Sequence, residues 1–488
     1  MVSATRFRFL NEEHGLEGAI DWNAPGRARL WLYNLHYFDD LNAADAECRA
    51  AAHARLIARW IAENPPGKGV GWEPYPLSLR IVNWVKWAAC GHTLPPGSAH
   101  SLAQQARHLT QRLEYHLLGN HLFANAKALV FAGAFFAGPE ADRWMRQGME
   151  ILVREVPEQI LPDGGHFERS PMYHAIALED MLDLVNLACA CPGAFAGWAQ
   201  EIAVWRNTAA GMLRWLLLMC HPDGEVSFFN DAAMGIAPPP GELIRYARRL
   251  DVPVAVPNDG VSWLNASGYV RVQKHGAVLI ADVAPVGPDY LPGHAHADVL
   301  SFELSVNGRR LLVNSGTSCY AGGAQREWER STAAHNTVEL DGQSSSEVWA
   351  SFRVARRAYP FDVEVAQSPD RIVIEGAHDG YRRLKGRPIH RRRWVLQSQR
   401  LEIDDRIEGR AQCAISRLYL HPETSVFQRP GGGYVQTTGA MARWEALGGE
   451  VSVRAAHWHP EFGLSLPSTR IETHMRGEQA LFRLDWCE

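Results

Sequence analysis

With 488 residues, 46% of them apolar and 21% charged, the chain is long enough for two or three domains and too apolar to be disordered. Its formal charge of −5 offers nucleic acid no general attraction, so an anionic partner needs a local basic cleft. No apolar run approaches the roughly 18 uncharged residues of a membrane-spanning helix, and MVSATRFRFLNEEHG has no signal-peptide core. The sequence therefore reads as soluble, whether cytoplasmic or exported with its signal removed. Its 17 Trp are partly core material, but flat aromatic faces also stack on sugar rings and favour a glycan binder. The eight Cys show no C-x-x-C or zinc-finger spacing, which argues against a disulfide framework.

In chain order, residues from about 40 to 250 read as helices. Ile57, Trp60 and Ile61 recur at helical spacing before Pro65–Pro66–Gly67, and Ile81, Trp84, Val85 and Ala88 repeat the pattern before Gly91. Further helices fit 99–118, 120–137, 139–155, 173–189 and 198–220, joined by short connections that predict helical hairpins in an arc or ring. VPVAVPNDGVSW is a linker, after which the period changes to two. Phe302, Leu304 and Val306 alternate with Ser301, Glu303 and Ser305, and Asn307–Gly308 supplies a two-residue hairpin turn. The basic run RRLKGRPIHRRRW (382–394) is either a rim for acidic chains or the solvated face of an edge strand.

Ionisable residues cluster in four segments. LLGNHLFANAKAL carries Asn120, His121 and Asn125 at the opening of a helix. PDGGHFERSPMYHAIALED crowds His166, Glu168, Arg169, Tyr173 and His174 onto a Gly- and Pro-shaped loop. In LPGHAHADVLSFEL, His294, His296 and Asp298 share one side of an extended chain, a pattern open to metal binding or acid–base work. RSTAAHNTVELDG adds His335 and Asn336, and LLVNSGTSCY between them adds Asn314 and Tyr320. No G-x-S-x-G, P-loop, H-E-x-x-H or dinucleotide fingerprint is present, which removes the common hydrolase, NTPase, zinc-protease and nicotinamide templates.

The ordered set WLYNLHYFDDL, GWEPYPLSLRIVNWVKW, GNHLFANAKAL, FERSPMYH, GHAHADVLSFEL and HNTVELDG resembles the heparinase II/III-like superfamily of polysaccharide lyases. The resemblance implies an α+β chain, with an incomplete (α/α) toroid over about 1–255 and an antiparallel β-sandwich domain over 256–488. It implies an acidic polysaccharide substrate, with no nucleic-acid or membrane partner and no organic cofactor. Asn120, with His121, matches the group that binds a uronate carboxylate; Tyr173 and His294 match the catalytic Tyr and His. His296, Asn314 and His335 match ligands of a divalent metal (Zn, Mn or Ca) with a structural role, although Asn314 stands where an Asp is usual.

β-Elimination removes the C5 proton of a uronic acid and expels the C4 oxygen. Donors to the carboxylate lower the cost of the second negative charge that builds there. A base and an acid complete the step, and Tyr173 with His294 supplies both, covering glucuronate-like and iduronate-like residues. Because a Tyr hydroxyl ordinarily titrates near 10, the same reading expects Arg80, Arg169 or His174 to depress Tyr173. Trp72, Arg80, Glu168, Arg169, His174 and Tyr320 are the expected substrate contacts. Two alternatives stay open: a glycoside hydrolase using Glu73, Glu168 or Asp231, and a non-catalytic glycan-binding protein of polysaccharide biosynthesis.

Overall fold

The computed structural model describes residues 1–487. The chain forms two compact units, one of Met1–Gln159 with Asp180–Asn207, the other of Ile160–Glu179 with everything from Thr208 onward. Residues 160–179 and 208–255 thus group with the sheet-rich part, because their bonds run there. Tyr269 donates to the Arg169 carbonyl (2.7 Å), Arg169 to the Ser267 carbonyl (3.0 Å) and Trp215 to Ser267 Oγ (2.9 Å).

The first unit opens with an antiparallel hairpin, Arg6–Phe9 against Glu12–Gly15, and continues as helices Arg29–Tyr37, Ala50–Glu63, Pro74–Ala89, Ser98–Thr110, Gly119–Phe135 and Pro139–Gln159. Trp22, Trp31, Trp60, Trp72, Trp84, Trp87 and Trp144 pack in its core. The last two helices approach closely because Gly133 and Gly148 face them. A Cβ at Gly133 would lie 2.7 Å from the Met145 main chain, and one at Gly148 would lie 2.7 Å from the Ala126 carbonyl. Gly119–Phe135 is buried on nearly every face, and its Lys127 is neutralised by Asp180 and Asp183, each at 2.6 Å.

The second unit carries two antiparallel sheets. One has eight strands in the order 360–367, 372–378, 389–397, 400–408, 479–486, 440–447, 432–437, 425–429. The other runs 449–458, 466–475, 414–420, 309–312, 302–306, 277–282, 269–274, 260–264, with 338–340 also pairing 414–420. A shared core of Phe302, Leu304 and Leu418 from one sheet and Trp394, Ile403 and Trp444 from the other makes this a sandwich. A helical N-terminal part followed by a sheet-rich part is the order read from periodicity. The hairpin turn also forms as expected, with Asn307 and Gly308 at φ +49° and +79°.

Three expectations fail, each for a packing reason, and one alternating strand is buried on both sides. The 99–118 helix stops at Thr110; the Glu114 N–H donates instead to Asn125 Oδ1 (2.9 Å), and Leu118 adopts φ +58°. The polar side of strand Phe302–Val306 is buried, because His221 bonds Glu303 (2.8 Å) and Ser305 (2.7 Å). Strand Ile389–Gln397 is an interior strand, and its basic run is neither a free rim nor an edge. Arg392 is buried on Asp405, while Arg391 pairs with Asp362 and Glu408. Trp is mostly core material: among the described residues only Trp263 and Trp349 are exposed.

Candidate active site

In the sheet-rich unit the site begins with a loop that only glycine permits. At Gly164 (φ +91°) a Cβ would sit 2.4 Å from the Gly211 carbonyl, and at Gly165 2.6 Å from Trp215 Nε1. Arg169, at φ +58°, turns the chain into helix Pro171–Ala190, where Ser170 Oγ accepts the Tyr173 N–H (3.2 Å). Tyr173 is thereby fixed on the first turn. Its ring stacks on His294 with centroids 3.9 Å apart, and its hydroxyl lies 2.9 Å from that of Tyr320.

Asn230 and Asp231 gather the remaining pieces. The Asn230 side chain donates to the Arg169 carbonyl (3.2 Å) and accepts the His296 N–H (2.9 Å), while its own N–H goes to Asp298 (3.1 Å). Asp231 accepts from His294 Nδ1 (2.9 Å), from His296 Nε2 (2.9 Å) and from Arg326 through both oxygens. Burial disfavours its charge, but Arg326 and the two histidines outweigh that and hold the carboxyl well below the usual range. With Nδ1 committed to Asp231, His294 turns Nε2 outward, 3.8 Å from buried Glu168. The alignment of His294, His296 and Asp298 does not come from strand register, since the strand starts only at Phe302. They meet because Asn230 and Asp231 tie a loop in place.

Tyr173 departs from expectation. Burial, reinforced by Tyr320, Asp231 and Glu168, pushes its hydroxyl well above the ordinary value, so it rests as a neutral phenol. The groups expected to depress it lie elsewhere. His174 is buried between the His166 N–H (3.2 Å) and the Met212 carbonyl (2.8 Å), and Arg169 points to Ser267. Arg80 and Trp72 are core residues of the helical unit. Arg80 bonds Gln105 (2.9 Å) and the Gly71 carbonyl (2.7 Å) and stacks on Trp60, while Trp72 donates to the Asn64 carbonyl. Glu168 and Tyr320 do stand beside the Tyr–His pair. Arg326 gave no signal in sequence, because an Arg on a short charged helix looks like any surface residue. Asp231 was visible only as an isolated carboxylate.

The expected metal ligands assemble in part. His296 Nδ1 and His335 Nε2 are 3.1 Å apart and buried. His335 Nδ1 faces the Ser331 carbonyl (2.8 Å) and His296 Nε2 faces Asp231, so in the neutral tautomers these bonds select, two lone pairs oppose each other. That pair suits a cation. Asn314 does not join it: its Oδ1 accepts the Asn336 N–H (3.1 Å) and its Nδ2 donates to the Phe228 carbonyl (2.9 Å). Among the described residues no group of three or more His, Cys, Asp or Glu is poised around an ion.

The helical unit holds its own cluster. Asn120 and His121 lie on the first turn of Gly119–Phe135, inside the helix rather than at its cap. His121 Nδ1 is 3.0 Å from Glu114, whose other oxygen takes a bond from Asn125 (3.0 Å); Asn125 also reaches Ser78 (3.1 Å). Tyr75 packs on the His121 ring at 4.5 Å and takes a side-chain bond from Asn120.

The fold of a helical part followed by an antiparallel sandwich is shared with solved polysaccharide lyases. A heparinase III structure superposes with a TM-score of 0.74 at 18% identity, covering 94% of this chain and 76% of that one. The heparan sulfate lyase of Pedobacter heparinus superposes at 0.65 and 19%, covering 99% and 81%. Family models described as "Heparinase II/III N-terminus" and "Heparinase II/III-like, C-terminal" match residues 97–237 and 256–486. The chain belongs to the heparinase II/III-like family. Among curated relatives, a heparin-sulfate lyase of Bacteroides stercoris is 26% identical over 64% of this chain and 47% of its own length. FtsZ-localized protein C of Caulobacter vibrioides is 28% identical over 84% and 69%. The chain spans about half the length of the heparin-sulfate lyases it matches.

Proposed function

We propose that the chain is a polysaccharide lyase that cleaves uronic-acid-containing glycans, glycosaminoglycans among them, by β-elimination. The observation that carries this reading is the Tyr173–His294 stack, with a neutral phenol on one side and an imidazole held at Nδ1 by Asp231 on the other. His294 Nε2 takes the C5 proton, the C–H electrons form the C4–C5 double bond, and the C4–O bond breaks. Tyr173 delivers its proton to the departing oxygen. Proton transfer from His294 back to Tyr173 then resets the pair. The family resemblance alone assigns the uronate carboxylate, where negative charge accumulates, to Asn120 and His121.

The metal remains a proposal of its own: a divalent ion with imidazole affinity on His296 and His335, bracing the loop that carries His294. No step of the elimination passes through it. The hydrolase alternative loses support, because Asp231 is saturated by Arg326 and two histidines and Glu73 is held by Arg29 and Tyr33. The non-catalytic alternative is separated from the lyase by the measurement that follows.

The test is absorbance near 232 nm, where the conjugated C4–C5 double bond absorbs, with hyaluronan, chondroitin sulfates, heparan sulfate, heparin and alginate as substrates. A rise that Tyr173→Phe lowers by about 10³-fold or more supports the lyase. New reducing ends without absorbance would favour hydrolysis, and silence with every polymer would favour the non-catalytic reading.

A further inference from the structure

A short hairpin beside the Tyr–His pair has a use that the elimination does not absorb. Val348–Trp349 pairs with Arg353–Val354, and the tip between them leaves Phe352 42% exposed although its ring touches two site residues. The Phe352 ring lies 5.7 Å from His294, edge to face, and 5.3 Å from Tyr320. An exposed aromatic on a mobile tip would ordinarily fold against the protein, since burying apolar surface gains roughly 25 cal/mol per Å².

This tip is pinned from below instead. On helix Ala324–Arg330, Arg326 donates to the Ser351 carbonyl (3.0 Å), and Arg330 donates to the carbonyls of Trp349 (3.4 Å) and Ala350 (3.3 Å). Glu327 accepts the Ala350 N–H (3.2 Å). Arg326 and Arg330 are themselves fully buried, and Arg326 is the group that saturates Asp231. The side chain that braces the histidine dyad therefore also fixes the aromatic tip.

We propose that Phe352 is a sugar-stacking platform that binds the pyranose adjoining the uronate at His294, which rests on the glycan site proposed above. The chemistry selects the occupant. A phenyl face has no donor for sulfate or carboxylate, but it complements the C–H face of a pyranose. A platform whose backbone is already immobile gives up little entropy on binding. A ring adjoining the reacting sugar is the part of a chain substrate that comes within its reach. The pyranose in question is the one joined through the C4 oxygen of the uronate, so Phe352 discriminates by length: a disaccharide whose uronate is its non-reducing end lacks that ring, whereas tetrasaccharides and longer carry it.

Calorimetric binding in a Tyr173→Phe background separates this from the lyase reading. The probes are size-defined heparan sulfate and hyaluronan di-, tetra- and hexasaccharides, and the variants are Phe352→Ala, Phe352→Leu and Phe352→Trp. Phe352→Ala is expected to weaken the tetrasaccharide about tenfold while leaving the disaccharide within about twofold, with Phe352→Trp restoring affinity and Phe352→Leu falling between. Exposed Phe427, replaced by Ala, serves as the control. Unchanged tetrasaccharide affinity in Phe352→Ala, an equal loss at every length, or no binding of any probe would overturn the platform. If wild type gives no 232 nm signal yet Phe352→Ala still loses the tetrasaccharide selectively, elimination falls and the platform stands. In the active protein the same substitution raises KM for the polymer about tenfold and leaves kcat within about threefold. Thermal unfolding unchanged between Phe352→Ala and Phe352→Leu excludes misfolding as the cause.

Discussion

Each unit of this protein carries one histidine held at Nδ1 by a buried carboxylate, and the two dyads are built to opposite ends. Glu114 shares its charge with the Asn125 amide, and no guanidinium or ammonium pairs with it among the described residues. Asp231 is gripped by Arg326 through both oxygens and by a second histidine. In the proposed reading His121 offers Nε2 to the uronate carboxylate while Nδ1 stays on Glu114, which no second cation shares among the described residues. In the same reading His294 offers Nε2 to the C5 proton, and an Asp already matched by Arg326 orients its ring through Nδ1. On the proposed function, the same pair of residue types is an anion holder in one unit and a base in the other. The third group decides which.

The largest effect that would break this comparison is expected at Asp231. Asp231→Asn keeps the shape but lets Nδ1 accept, turning Nε2 into a donor, and leaves Arg326 buried without its counter-charge. We expect a kcat loss of about 10³–10⁴-fold and a destabilisation of about 3–5 kcal/mol, checked by 232 nm kinetics and denaturant melts. A loss of stability with normal kcat would show that Asp231 has no part in orienting the base.

Next in size is the response to acid. Burial pushes His36 and His166 down to about 3 and His174 to about 4, so all three are neutral in the fold. Their depressed values mean that the unfolded chain binds more protons below its ordinary value of about 6.5, so stability falls as pH drops through that value. At pH 5 each contributes a loss of up to ~2 kcal/mol. Melting temperatures recorded from pH 7 to 4.5 should decline throughout. A flat curve would contradict neutral burial.

Glu114→Gln should be milder. Without the carboxylate the His121 ring loses the bond that orients it, which is expected to raise KM about tenfold while kcat changes less, equivalent to ~1.4 kcal/mol. An equal fall in kcat instead would place His121 in the chemical step.

The smallest expected effect is an absence of slope. Because Tyr173 is held above its ordinary value of about 10, an acid role requires no activation by alkali, and kcat/KM should change less than about threefold from pH 8 to 10. A tenfold rise per pH unit would mean that Tyr173 must lose its proton first, making it the base.

Much of the architecture was legible in sequence because periodicity reports on neighbours a few residues away. Ile81, Trp84 and Val85 marked a helix, and Asn307–Gly308 marked a turn, without knowledge of the rest of the chain. Segments rich in His, Tyr and Asn stood out for a similar reason: polar clusters between apolar runs need a purpose. Tyr173 and His294 were found this way and do meet, although 121 positions separate them in sequence. What each does was not legible. Arg80 looked like a ligand for an anion and is a buried strut beneath Trp60, while Arg326 looked like surface and holds the site together. Asn314 followed its motif yet spends both ends of its amide on the main chain. Composition and spacing by themselves determined that this chain has a helical part, a sheet-rich part and a set of acid–base residues. Only tertiary structure decided which carboxylate meets which histidine and which of those carboxylates an arginine neutralises, because charge, burial and tautomer depend on groups as far as 147 residues apart in the chain.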